Sequence, residues 1–510
     1  MVAIISLTLL FTLGGCASSQ QKAEKEAAIA QQLLNQGDVQ GASRAIARAL
    51  SYRDDQEDIL LLDARIKYRL QEFRPAFDAY RVVLAMDPNN MEALTAISEL
   101  GVAVGDKDTA EDAIKRALAI NPDIPEVLLS KGVLELSDKD YDGAIATGEK
   151  ILARNPQDPR GTVLKARGLF LQGKQAEALT MLSDAASKYG NNGLVSSALL
   201  EVARAQGDVP LMLEQFAFLS GQNPQSVDLA LDEMNVRYKS GDVTGARAVG
   251  LSMLERFGND SQAMGRLVDM WDEYDVTPLT DQDIAAVASK DGMDARLAAA
   301  RFYIDHGKSD VAAKLVAGSS DPRASGLLAR IGIEQGNPQA AAAARKIVEQ
   351  DTTNCEALTG LAEWDLMHGK PNDAITQAQV VATECLDRID GYVLLAKAYQ
   401  KANRPAGVER VYREGIEAHP QDPNLTKSFA DWLVSRGNID AAESAVRRLS
   451  NVAPSRESSW DIYLEICQKA KDSACTADAK QGLLQSKTAY ALDPLPGIRR
   501  ANPLVGRTWQ

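Results

Sequence analysis

Three histidines, five cysteines and seventy carboxylates are the residues from which this 510-residue chain could build chemistry. His306 and His368 directly precede Gly307 and Gly369, and His419 precedes Pro420, so all three sit at turns. Their wide separation reads as surface turn histidines rather than metal ligands or general bases. Carboxylate pairs such as Asp58/Asp63 and Glu363/Asp365 have no His, Lys or aromatic pocket partner in the sequence and read as solvated helix faces. The chain has no Gly-rich phosphate loop, no Gly-x-Ser-x-Gly elbow and no zinc-protease helix motif. Trp271 and Trp364 fall within helical patterns and read as packing residues. The sequence therefore predicts no catalytic residue, no metal site and no cofactor.

The elements that hold these residues must be helices. Ala and Leu are abundant while aromatic residues make up only 5% of the chain, a balance that favours helix over sheet. Hydrophobic residues at 45% and charged residues at 25% describe a folded chain, and the length exceeds what one core supports. The net charge of −14 excludes sequence-independent binding to nucleic-acid phosphates and an electrostatic grip on anionic lipid.

Residues 2–15 are almost wholly apolar and then give way to Ser18-Ser19-Gln20-Gln21. A stretch this short matches the h-region of a secretory signal rather than a membrane span. It ends in Leu13-Gly14-Gly15-Cys16, which resembles the lipobox of bacterial lipoproteins. The resemblance implies cleavage after Gly15 and acylation at Cys16, which would anchor the chain firmly. Ala17 and Ser18 after the cysteine, with no Asp beside it, imply sorting to the outer membrane of a Gram-negative cell, facing the periplasm. The usual basic residues ahead of the apolar stretch are missing, which places the true start upstream of Met1 as an alternative.

A period of 34 residues runs along the chain. Ala42, Ala76, Ala110, Ala144 and Ala178 share one register, which continues through Met212 to Ala246. Gly37, Gly105, Gly173, Gly207 and Gly241 mark a second position, and Pro88, Pro122, Pro156 and Pro224 a third, with Gly190 and Gly258 substituting there. Glycine lets a helix end in the left-handed conformation, alanine lets two helices approach closely, and proline stops a helix from continuing. The pattern resembles the tetratricopeptide repeat, a helix pair with small residues at its eighth and twentieth positions. The resemblance implies an all-α solenoid, a right-handed superhelix of antiparallel pairs. The family's aromatic positions are only partly filled, by Tyr80, Phe216, Tyr399 and Tyr412.

On this register, residues 1–15 are a signal peptide, 16–25 a lipidated linker and 26–260 an array of about seven units. Residues 261–354 carry shortened spacings, with Val276-Thr277-Pro278-Leu279-Thr280-Asp281 as a helix break, and read as a kink between two arms. Regular units resume over 355–494, and 495–510 is a flexible tail ending near Trp509. Cys355 opens the first helix of its unit and Cys385 closes the second, while Cys467 and Cys475 flank the turn of the last unit. In an exported chain these spacings predict disulfides Cys355–Cys385 and Cys467–Cys475. A thiol-based metal site lacks the close Cys-x-x-Cys spacing it would need.

In the repeat family the first helix of each unit lines the binding groove. Carried onto this register, the inward positions include Arg160, Arg167 and Phe170, then Arg204, then Tyr238. The three arginines are the expected grip on an acidic partner segment, with Phe170 and Tyr238 adding apolar contact. The function expected is a non-catalytic protein-interaction scaffold in a cell-envelope assembly serving secretion, pilus formation or polysaccharide export. The alternative is a regulator that binds cell-wall enzymes.

Overall fold

The structure, a computed structural model, describes residues 18–494 apart from Asn191, Asp291, Leu386 and Asp387. The expectations at Cys16, over the signal segment 1–15 and over the tail 495–510 with Trp509 lie outside these residues. The described residues form twenty-eight α-helices and no strand, numbered α1 (Ser19–Asn35) to α28 (Ser473–Ser486) in chain order. None of them is long and apolar enough to cross a membrane. Most of the supposed linker 16–25 is already helix. Ser18 accepts from the Gln21 amide at 3.2 Å while the Gln21 side chain accepts from the Ser18 amide at 3.0 Å, a capping box that starts α1 early.

Each repeat is an antiparallel pair, and the first joint shows how the sequence makes it. α1 ends when Gly37 adopts a φ of +82°, so that its amide bonds to Leu34 and the next amide, of Asp38, bonds to Leu33. These two bonds satisfy carbonyls that the helix end would leave open. Asp38 then caps α2 (Val39–Tyr52) by accepting from the Gly41 amide at 2.7 Å. Asp106, Asp140, Asp208 and Asp242 cap later second helices in the same way. The small residues of the register, Ala42, Ala76, Ala110, Ala144, Ala178 and Ala246, together with Met212, are all 0% exposed. They sit where a larger side chain would hold the paired helices apart.

The chain separates into two compact units, one reaching Val202 and one beginning at Ala203. Residues 261–354, where the sequence suggested a kink, lie wholly within the second unit. What the sequence showed there is local shortening. α15 (Ser261–Tyr274) is followed by α16 of nine residues (Asp281–Ser289), and α17 (Met293–Asp305) by α18 of eight (Ser309–Val316). The loop between α15 and α16 is pinned rather than open. Asp275 takes two bonds from Arg247 at 2.7 and 3.0 Å, and Leu279 is buried with its amide on the Tyr303 hydroxyl. Trp271, packed edge-on against Phe302, stands at the centre of this part of the core.

The second unit closes on itself. α27 (Glu457–Ala470) has Arg456 at its N-cap position, a side chain that offers no acceptor. Glu273 of α15 supplies it instead, accepting from the Ser458 amide at 3.0 Å and from the Ser458 hydroxyl across 185 residues of chain. A carboxylate at a helix N-terminus is favoured by the unpaired amides and the dipole there. Lys239, at the end of α13 (Val227–Lys239), donates to the carbonyls of Ser455 and Ser486.

Candidate functional site

The second unit holds a half-open cavity of about 1150 Å³. Its wall comes from the first helix of six successive pairs: α15, α17, α19 (Pro322–Glu334), α21 (Cys355–Met367), α23 (Asp390–Lys401) and α25 (Pro423–Ser435). Those helices bury one stripe against their neighbours, and the stripe facing the cavity mixes charged and polar residues with apolar ones such as Val268, Leu297 and Val393.

One side of the wall is a network of buried ion pairs. Glu356, 1% exposed, receives Arg301 and, at 2.9 Å, Arg388. Arg388 also meets Asp390, while Arg330 reaches Glu363 at 3.0 Å and Asp305 at 3.4 Å. Burial works against the charged forms of Glu356 and Asp390. The guanidiniums outweigh it and hold Glu356 below its ordinary pKa and Asp390 well below. Asp305 goes the other way: burial and the neighbouring Asp390 raise it against the pull of Arg330. Such a network is costly to break on one side, because the remaining charge is left buried without its partner.

Further carboxylates line the cavity on α15 and at the start of α25. Asp269 and Asp272 are exposed on the cavity wall, with the surrounding helices keeping bulk water at a distance. Removal from bulk water raises Asp269 against the attraction of Arg456, and raises Asp272 to about 6 with help from Asp269. Asp422, the N-cap of α25, is likewise pushed up to about 6 by burial. His306 and His419, which the sequence placed at unrelated turns, both line this cavity. His306 packs tilted against Phe302 and lies 3.7 Å from Asp272, and His419 meets Tyr392 edge-on. His368 stacks instead on Trp364 outside the cavity lining. Among the described residues no group of three or more His, Cys, Asp or Glu is arranged to hold a metal ion.

The groove residues expected from the register stand elsewhere, and a correction follows. Arg167 is 4% exposed and pairs with Glu201 at 3.2 Å, its pKa lowered by burial. Arg160 bonds Asp158 and Glu126, both at 2.8 Å. Arg204 pairs with Asp232 at 3.1 Å and lies over the Phe216 ring. Phe170 is buried in a core cluster, and Tyr238 is stacked on Tyr274 with ring centroids 5.1 Å apart. These arginines hold repeats together and are not offered to an acidic partner. Glu126 and Glu201 each stand 34 residues from their arginines, one repeat away. Opposite charges one period apart were therefore the signal that could have found these pairs.

The cysteines stand as pairs: Cys355 with Cys385 at a Cα separation of 6.2 Å, and Cys467 with Cys475 at 5.4 Å. The first ties the start of α21 to the end of α22 (Pro371–Glu384), and the second ties the end of α27 to the start of α28.

Residues 100–159 match the family model of the tetratricopeptide repeat. No curated protein is significantly similar to the chain. Among solved structures, a tetratricopeptide repeat protein from Parabacteroides merdae is 16% identical, with a TM-score of 0.41 over 49% of this chain and 98% of that one. PilW, described as a widely conserved type IV pilus biogenesis factor, is 22% identical, with a TM-score of 0.34 over 40% of this chain and 94% of its own. Pseudomonas aeruginosa pilF is 19% identical, with a TM-score of 0.33 over 41% and 95%. The family match falls within α5–α9, and capped, glycine-terminated helix pairs like those it covers continue on either side of it.

Proposed function

We propose that this chain is a protein-interaction scaffold of the cell envelope, assisting assembly of a secretion, pilus or polysaccharide-export complex. The observation that carries the reading is the cavity of the second unit, walled by six successive first helices whose charged and polar groups face inward. A wall of that kind presents many separate contact points along a partner segment. The apolar leader ending at Cys16 supports a periplasm-facing outer-membrane lipoprotein, and two cysteine pairs suit an oxidising compartment. Cross-linking in cells followed by recovery of the chain tests the reading. Lys397→Glu combined with Asn424→Arg alters two exposed cavity positions. Recovery of envelope-assembly subunits should fall at least about fivefold while helix content stays unchanged. Undiminished recovery, or recovery of no envelope subunit by the unaltered chain, would overturn it.

A further inference from the structure

The inner face of α13 holds a piece of this chain that is not part of any repeat. Residues after α28 run back into the second unit, and Leu492 and Asp493 line the cavity. Asn235 is 1% exposed, and its carboxamide nitrogen donates to the Tyr490 carbonyl at 3.0 Å, 255 residues away. Its oxygen accepts from the Tyr274 hydroxyl at 2.9 Å, which fixes which way the amide points. One turn back on the same helix face, Asp232 accepts from the Leu492 amide at 3.2 Å while also holding Arg204. The Leu492 side chain packs on the apolar cluster that includes Leu231 and Met264. Asp493 then accepts from the Ser455 amide at 3.0 Å and from its hydroxyl at 2.7 Å.

These contacts have the character of ligand recognition. Two buried polar side chains, three positions apart, take a carbonyl and an amide two residues apart on an irregular segment. Buried groups of this kind cost free energy when left without partners, so the face is built to be occupied. Nothing in the contacts requires the occupant to be covalently joined: they use backbone groups, one aliphatic side chain and one carboxylate.

We infer that the face of α13 bearing Asp232 and Asn235 is a binding site for a short non-helical peptide, occupied in cis by residues 490–493. A partner segment with an aliphatic residue followed directly by an acidic one is the chemistry that displaces it. The site rests on the reading of the second unit as a protein-binding array and names the class of segment it takes. While the chain's own segment is in place it competes with the partner and keeps the unit closed; its release would open the cavity to the incoming segment.

The test uses the full chain and a fluorescent peptide carrying the sequence of residues 488–494. Leu492→Asp with Asp493→Lys weakens the resident segment without touching α13. That variant should bind the peptide at least about tenfold more tightly than the unaltered chain, since the intramolecular competitor is gone. Adding Asn235→Ala should remove the gain. Equal affinity in the unaltered and segment variants, at equal helix content, overturns the inference, as does a gain that survives Asn235→Ala. If the variant loses helix, hydrogen exchange in the unaltered chain decides. Excess peptide should speed exchange of the Leu492 amide, and an unchanged rate overturns the inference. Normal peptide binding with no envelope subunit recovered by cross-linking would instead count against the scaffold reading alone.

Discussion

Four turns of this array carry a side chain where the others carry glycine, and they isolate the conformational contribution of one residue. Gln71, Lys139, Asn403 and Lys471 have φ values of +57° to +62°, at the register position where Gly37, Gly173, Gly241 and Gly437 have +76° to +83°. Lys139 makes the same two closing bonds as its glycine counterparts: its own amide to Leu136 at 3.1 Å and the next amide to Glu135 at 2.8 Å. Gln71 does likewise with Tyr68 and Lys67, both at 3.0 Å. Both side chains are exposed. Replacing them with glycine therefore removes about 1–2 kcal/mol of left-handed strain at each site. Glycine's larger freedom in the unfolded chain takes back about 0.5–1 kcal/mol. The net is a stabilisation of about 0.5–1 kcal/mol per site, so Gln71→Gly with Lys139→Gly should gain about 1–2 kcal/mol. The converse change, Gly173→Ala, should cost about 1 kcal/mol. Nothing lies within 4 Å of the added Cβ there, so only the backbone is strained. Urea unfolding followed by helix signal reads both as shifts of the midpoint. A double glycine variant no more stable than the unaltered chain, beside a neutral Gly173→Ala, would refute the reasoning that this register position is held left-handed against side-chain preference.

Two further outcomes follow from the second unit. Cys355→Ser with Cys385→Ser opens a loop of separation 30 and should cost about 3–4 kcal/mol in the chain-entropy model, with reductant lowering the Tm of the intact chain by more, because Cys467–Cys475 opens as well. Asp422→Asn keeps a capping oxygen for the Leu425 amide and removes a charge that burial disfavours. The folded carboxyl at about 6 binds its proton more tightly than the unfolded one near 4, so stability from this group falls as pH rises from about 4 through 6. The variant should therefore melt higher than the unaltered chain at pH 7.5 and equal to it at pH 4; a gain that persists at pH 4 would sink the assignment to charge.

The repeat was legible because its determinants are local. An alanine at the helix crossing, a glycine at the joint and a proline at the boundary each act within a few residues of themselves, so a one-dimensional register reads them. The aspartates at 38, 106, 140, 208 and 242 belonged to the same register and were open to the same reading as caps. The cysteine pairs followed once the register placed helix ends. The groove assignment failed for a physical reason of the opposite kind. A charged residue on a first helix has a neighbour one repeat away, and whether Arg167 faces a partner or Glu201 depends on packing between units. Closure through Glu273, Lys239 and Asn235 spans 185 to 255 residues, beyond any periodic signal.

The arginines of the inward stripes hold helices to helices, which changes what can select a partner. A guanidinium already bidentate or buried against a carboxylate has little left to offer, and pulling it away strands its partner. What the second unit can offer an incoming chain is of two kinds: the raised carboxylates Asp269, Asp272 and Asp422, and, once the resident segment is displaced as proposed, the backbone-directed groups Asn235 and Asp232. Carboxylates in that state become better acceptors and lose their desolvation penalty when a cation or donor arrives, so they favour a partner that brings positive charge or N–H groups. Backbone-directed groups favour any segment that leaves its peptide groups unpaired. If the face of α13 takes a peptide as proposed, a segment that also presents donors to these carboxylates is held at both places and is preferred over one that satisfies α13 alone.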